Sequence, residues 1–260
     1  MTVFDELRPL VERGERAVVF TVIAGEAVGT KLLVREDGST AGDAPGELAE
    51  LAPAALRTGR GHVLEHGDVR LFADVYGPPP RLLVYGAVDT AEALCRAAKL
   101  LGWTTIVADA RARFATRERI PSADELLVEW PEETIAAVAP DLGTAVIVLT
   151  HDDKFDIPLL QAALASDAFY VGALGSRRNQ ERRRGLLADA GVPEEALDRI
   201  HGPAGLDVGA ESPAETALSM LAEVLAARAG RAGGPLRVAK TRIHAEPLTE
   251  PIAGPLAGKK

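Results

Sequence analysis

Five arginines and one glutamate fall between Val171 and Arg184, so about +4 of charge is gathered in one segment. In its sequence, VGALGSRRNQERRR, Gly172 and Gly175 permit close backbone approach to a ligand, and Ser176 can cap the helix that follows. Arg177 and Arg178 then open that helix. Amide N–H groups at a helix N-terminus, with a hydroxyl and two guanidiniums, make a natural phosphate site. Arg182, Arg183 and Arg184 read instead as a solvated face of the same helix.

A second polar group lies in TAVIVLTHDDKFDIP, where Thr150, His151, Asp152 and Asp153 follow an apolar run. In open α/β sheets ligands sit beyond the carboxyl ends of strands, so these residues are placed at a ligand-facing rim. His151 is the residue expected to face the ligand, and Asp153 or Asp156 can cap the next helix. No second histidine at helical spacing supports a metal site. The first turn after a strand is YGAVDTAEAL, in which a dinucleotide fingerprint would put small residues at Gly86, Val88 and Ala91. Val88 breaks that pattern. Asp109, 23 residues after Gly86, stands where an acidic residue would hold a ribose hydroxyl. His201 is either a turn histidine or a further neighbour of the site. Cys95, with Leu94, Ala97 and Ala98 around it, reads as a core residue.

The elements that must position these groups follow from periodicity. From Arg81 onward, short apolar strands alternate with mostly helical stretches: RLLVYGA, a helix over Asp89 to Leu101, WTTIVAD, ELLVEW, a helix over Glu132 to Ala139, TAVIVLTH, a helix to Ala165, and FYVGALGS. Five such strands predict a parallel sheet with right-handed crossovers, a Rossmann-like doubly wound α/β fold. A charged helix from Arg177 to Ala190 follows, and later one opened by Ser212, Pro213 and Glu215, a capping box. Before Gly77 the chain reads as a small α+β domain, with a helix over Asp5 to Arg13, another over Leu48 to Leu56, and β-rich runs between and after them. The GPPPR spacer, Gly77 to Arg81, forbids helix and marks the boundary. The expected organisation is a small domain over 1–77, a Rossmann-like domain over 78–229 and a loosely docked tail over 230–260.

Composition narrows the function classes. The chain has 260 residues, 47% of them hydrophobic, and 38 acidic against 29 basic side chains give a net charge of −9. That balance argues against general affinity for nucleic acid or anionic membrane. With one cysteine the chain cannot form an internal disulfide or a multi-cysteine metal site. Asp5 and Glu6 sit where a secretory signal would be basic and then apolar, and no run of about 18 apolar residues occurs. A cytoplasmic protein is expected.

In combination and order, DARARFAT (Asp109 to Thr116), THDDKFDIPLLQAAL (Thr150 to Leu164), YVGALGSRRNQERRRGLLADAG (Tyr170 to Gly191) and RIHGPAGLDVGAESPAETALSMLAEVL (Arg199 to Leu225) resemble the XdhC/CoxI family, accessory factors of xanthine dehydrogenase and related molybdenum hydroxylases. The resemblance implies a maturation factor that binds molybdenum cofactor as cargo, protects it and delivers it to a molybdenum hydroxylase apoenzyme, in some members with a sulfurtransferase. It implies no catalysis by the chain itself, and a homodimer is expected by resemblance. The ligand implied is an anionic pterin phosphate, held by Gly86, Asp109, Arg111, Thr150, His151, Asp152, Gly172, Gly175, Ser176, Arg177 and Arg178. Two departures stand out. Family members usually carry a GAGHVG-like turn where this chain has GAVDTA, and many carry an N-terminal-domain cysteine where this chain has STAGDAPGELAEL, Ser39 to Leu51. The alternative readings are an NAD(P)-dependent oxidoreductase, motivated by the sheet and Asp109, and a Rossmann scaffold that has lost its nucleotide ligand.

Overall fold

The computed structural model describes residues 2–239. The first part begins with helix α1 (Val3–Glu12), closed at its start by a Thr2–Asp5 capping box. Strands β1 (Ala17–Ala24), β2 (Lys31–Arg35) and β3 (Thr40–Gly42) follow, then a 3-10 turn (Gly46–Leu51), α2 (Ala52–Thr58), β4 (His62–His66) and β5 (Val69–Tyr76). The strands form one antiparallel sheet in the order β3-β2-β1-β5-β4. Alternation along β1 covers both faces: Val18, Phe20 and Val22 pack with α2 and the 3-10 turn, while Ala17 and Val19 pack under α1.

The second part contains β6 (Arg81–Tyr85), α3 (Asp89–Leu100), β7 (Thr104–Ala108), β8 (Glu125–Leu127), α4 (Pro131–Val138), β9 (Thr144–Val148), α5 (Asp153–Leu164), β10 (Tyr170–Ala173), α6 (Arg177–Asp189), α7 (Glu194–Leu197), β11 (Ile200–His201) and α8 (Pro213–Arg228). Its sheet is wholly parallel, in the order β11-β10-β9-β6-β7-β8. The expected doubly wound α/β fold preceded by a small α+β unit is therefore present. One strand was not anticipated: β11 has two residues, too few to leave a periodic signal, and it extends the sheet beyond β10.

The central strand explains why the runs are apolar without alternation. Leu82, Leu83, Val84 and Tyr85 of β6 are all fully buried, because helices cover both faces. Leu82 and Val84 meet α3 and α8 on one side; Leu83 and Tyr85 meet α4 and α5 on the other. Helix α8 starts from the expected box, with Ser212 Oγ accepting from the Glu215 N–H and the Glu215 carboxylate accepting from the Ser212 N–H at 2.8 Å. The two sheets are tied across the spacer by buried Arg16, whose Nε lies 3.0 Å from Asp141 Oδ2. Of the tail expected from residue 230, a short 3-10 turn at Leu236–Val238 is described, and residues 240–260 lie outside the described residues.

Candidate functional site

Strand order reverses between β6 and β9. From β6 the chain winds outward through β7 and β8, and from β9 it winds the opposite way through β10 and β11, so the ends of β6 and β9 form the switch point at which open α/β sheets have their ligand crevice. Gly86 lines it in a left-handed conformation, φ +112°, where a Cβ would lie 3.1 Å from Thr150 Cγ2 and 3.2 Å from Thr150 N. Glycine at this point is required by the approach of the β9 end, whatever binds above it.

The N-terminus of α6 borders the same rim. Gly175, at φ +145°, turns the chain out of β10, and Ser176 Oγ accepts the Asn179 N–H at 3.2 Å. Arg177 and Arg178 are exposed, and neither forms an ion pair among the described residues. The other three arginines of this helix are all engaged. Arg182 pairs with Asp153, and Arg184 with Glu194 and Asp198. Arg183 corrects the solvated-face reading: it is 2% exposed, and its Nε and Nη2 lie 3.0 and 2.5 Å from Asp156 Oδ2. Its remaining N–H groups donate to the carbonyls of Leu174 (2.7 Å) and Thr150 (3.1 Å), which joins α6 to the ends of β10 and β9. Burial pushes the Asp156 carboxyl up, against the opposing pull of the Thr150 hydroxyl and Arg183.

At the end of β9 the polar residues divide by role. The Thr150 hydroxyl is buried and donates to Asp156 Oδ1. Asp152, rather than Asp153 or Asp156, is the α5 N-cap, accepting the Lys154 N–H at 3.2 Å. His151 is exposed at the rim, with no hydrogen bond among the described residues.

At the first turn Asp109 is fully buried and saturated. Its Oδ1 accepts from the Arg111 N–H and Nε–H at 2.9 and 2.8 Å, and its Oδ2 from the Ala87 N–H and Arg111 Nη2 at 3.0 and 2.8 Å. A carboxylate offers about four lone-pair sites, and all four are used. Burial alone would raise this carboxyl, but the hydrogen bonds from Arg111 and Ala87 outweigh it and hold the group below the ordinary carboxylate range. Asp109 therefore fastens the β6–α3 turn and orients Arg111, whose guanidinium lies 4.2 Å from the Phe114 ring centroid. A ribose hydroxyl would have to displace one of these donors.

Gly172 has a different neighbour from the one its position suggested. A Cβ there would lie 2.6 Å from Tyr170 Cε1, so the glycine makes room for the tyrosine ring. That ring stacks on His201 at 4.4 Å, and its hydroxyl donates to Glu223 Oε2 at 2.6 Å. Glu223 Oε1 lies 3.2 Å from His201 Nδ1, and its Oε2 also accepts the Gly205 N–H at 2.7 Å. This linkage of β10, β11 and α8 was missed from the sequence, where Tyr170 and Glu223 are 53 positions apart. Cys95 is fully buried, and burial pushes its thiol up to about 12.

A parallel sheet with this strand order and a switch point between β6 and β9 defines a Rossmann-type domain. The family model of the XdhC Rossmann domain matches residues 82–224, and the chain belongs to that family. It is 31% identical over 225 residues to the uncharacterized protein YqeB of Escherichia coli, covering 78% of this chain and 41% of that protein. It is 30% identical to a probable xanthine dehydrogenase subunit of Bacillus subtilis, over 64% of this chain and 48% of the relative. It is 32% identical to the molybdenum cofactor insertion chaperone PaoD of Escherichia coli, over 59% of this chain and 42% of the relative. The chain thus spans less than half the length of each of these curated relatives. A crystal structure of a xanthine dehydrogenase from Bacillus halodurans shares the fold, with a TM-score of 0.59 at 21% identity over 85% of this chain and 65% of that one. Among the described residues no helix is long and apolar enough to cross a membrane.

Proposed function

We propose that the chain is a cytoplasmic maturation factor that binds molybdenum cofactor, or a related pterin phosphate, and delivers it to a xanthine dehydrogenase-like molybdenum hydroxylase. The observation that carries this reading is the pair Arg177 and Arg178, exposed and without ion-pair partners among the described residues at the α6 N-terminus beside Gly175, while every other arginine of that helix is engaged. Such a terminus suits a phosphate, since unsatisfied amides and two guanidiniums meet it with no counter-charge to displace. His151 and Arg111 are the further polar groups proposed to line the cargo. Gly175 turns the chain out of β10 beside the α6 terminus, whereas the space at Gly86 and Gly172 is taken by Thr150 and the Tyr170 ring; Asp109, Thr150, Asp152 and Ser176 position their neighbours. The names of two relatives, one a molybdenum cofactor insertion chaperone and the other a probable xanthine dehydrogenase subunit, support the cargo and the partner.

The cargo's metal end makes a separate demand. The chain's one cysteine is buried with a raised thiol, so thiolate ligation of molybdenum falls to the pterin or to the partner. A sulfurtransferase partner and a homodimer belong to the same proposal.

Co-expression with a molybdenum hydroxylase apoenzyme tests it. The purified chain is expected to retain the partner and to release a fluorescent oxidised pterin. Recovery of neither partner nor pterin would overturn the reading. Saturable NAD(P)H binding with hydride transfer would replace it by the oxidoreductase alternative.

A further inference from the structure

A second cationic pocket lies away from the crevice, where the end of α8 meets the turn after α2. It encloses about 400 Å³ and is lined by Thr58, Arg60, His62, Leu101, Leu225 and Arg228, among others. Arg228 is its built element. The residue is 7% exposed; its Nε donates to the Arg57 carbonyl at 3.0 Å, and its guanidinium lies 5.2 Å from the Trp103 ring centroid. Gly59, left-handed at φ +59°, leaves the space that Nη2 fills, since a Cβ there would collide with that nitrogen.

Convergence of two helix C-termini accounts for part of this. The last carbonyls of α2 and α8 attract cations, and the Arg57 carbonyl takes Arg228 Nε. The two Nη groups, however, have no hydrogen-bond acceptor among the described residues, and Arg228 forms no ion pair there. Arg60, exposed at the pocket mouth, also has no ion pair among them. Desolvation, Arg60 and Arg16 together lower Arg228 to about 10, with no carboxylate among the described residues offsetting these like charges. The Nη groups are not among the fully buried unpartnered nitrogens, so they are reachable from the pocket, and an oxyanion there would meet donors that no acceptor among the described residues occupies.

We propose that this pocket binds a small oxyanion of the phosphate class, held by the Nη groups of Arg228 and by Arg60, with Leu101 and Leu225 forming an apolar wall. Because Arg60 belongs to the small domain and Arg228 to the end of the Rossmann domain, the anion bridges the two.

Trp103 reports on the site directly. In the full chain carrying Trp130→Phe it is the remaining tryptophan, and its fluorescence is followed while inorganic phosphate is titrated at constant ionic strength. A saturable change is expected, weakened about tenfold or more by Arg60→Ala and abolished by Arg228→Gln. It is expected to persist in the Arg177→Ala/Arg178→Ala double variant, which separates this pocket from the crevice. A response that never saturates, or one that survives Arg60→Ala at full strength, overturns the proposal. Should Arg228→Gln lose its fold by circular dichroism, the exposed Arg60→Ala variant decides alone.

Discussion

Arg183 Nη2 lies 2.5 Å from Asp156 Oδ2, with the two side chains 2% and 0% exposed: the most cationic helix of the chain is fastened to its neighbour by a buried ion pair. The same guanidinium reaches the carbonyls of Thr150 and Leu174, so one side chain fixes where α6 begins relative to two strand ends.

Removing one partner of such a pair leaves a buried, uncompensated charge. Arg183→Met is expected to cost about 3–5 kcal/mol in urea denaturation, and the double variant with Asp156→Leu to recover part of it. Recovery should be incomplete because the two carbonyls stay without their donor. A single-variant loss below about 1 kcal/mol would show that the pair is not buried in solution.

Arg177 and Arg178 should behave in the opposite way. Replacing both with Ala is expected to leave stability within about 0.5 kcal/mol of the parent while weakening capture of a pterin phosphate tenfold or more. The two quantities are read by thermal denaturation and by pterin fluorescence after pull-down. Undiminished capture would reduce these arginines to surface charge.

The depressed Asp109 carboxyl gives a pH signature. A group held below its ordinary value of 3.8 contributes stability that is complete above that value and is lost as pH falls through the lower, folded one. The stability difference between the parent and Asp109→Asn should therefore be constant above about pH 5 and shrink below about pH 4. A difference that instead grew on acidification would contradict the Arg111 clamp.

Native Cys95 should resist a disulfide reagent at about pH 8, because a thiol raised to about 12 supplies almost no thiolate and is shielded as well. Full reactivity is expected once urea unfolds the chain. Rapid labelling of the folded protein would expose the cysteine and reopen a sulfur-handling role for it.

Much of the fold was legible because its signals are local. The apolar runs of β6, β7 and β9, the Ser212 box and the Ser176 cap each depend on residues within a few positions of one another. What escaped depends on distant partners. Strand β11 exists because β10 offers it an edge, and the Tyr170–Glu223–His201 linkage joins three separate elements. In composition Arg183 resembles its neighbours, yet it stands four residues before buried Leu187, and that helical phase carried the clue to its burial. Asp109 and Arg111, two residues apart, were likewise close enough to be read as partners rather than as separate ligands.

The anchoring of Arg16 to Asp141 and of Arg228 to the Arg57 carbonyl bears on how freely the two sheets can be recombined. Cutting at the prolines between Tyr76 and Arg81 would strip each fragment of the acceptor that its own buried arginine uses, stranding one guanidinium on either side. A chimaera that transplanted one sheet onto a foreign mate would need to import these contacts with it.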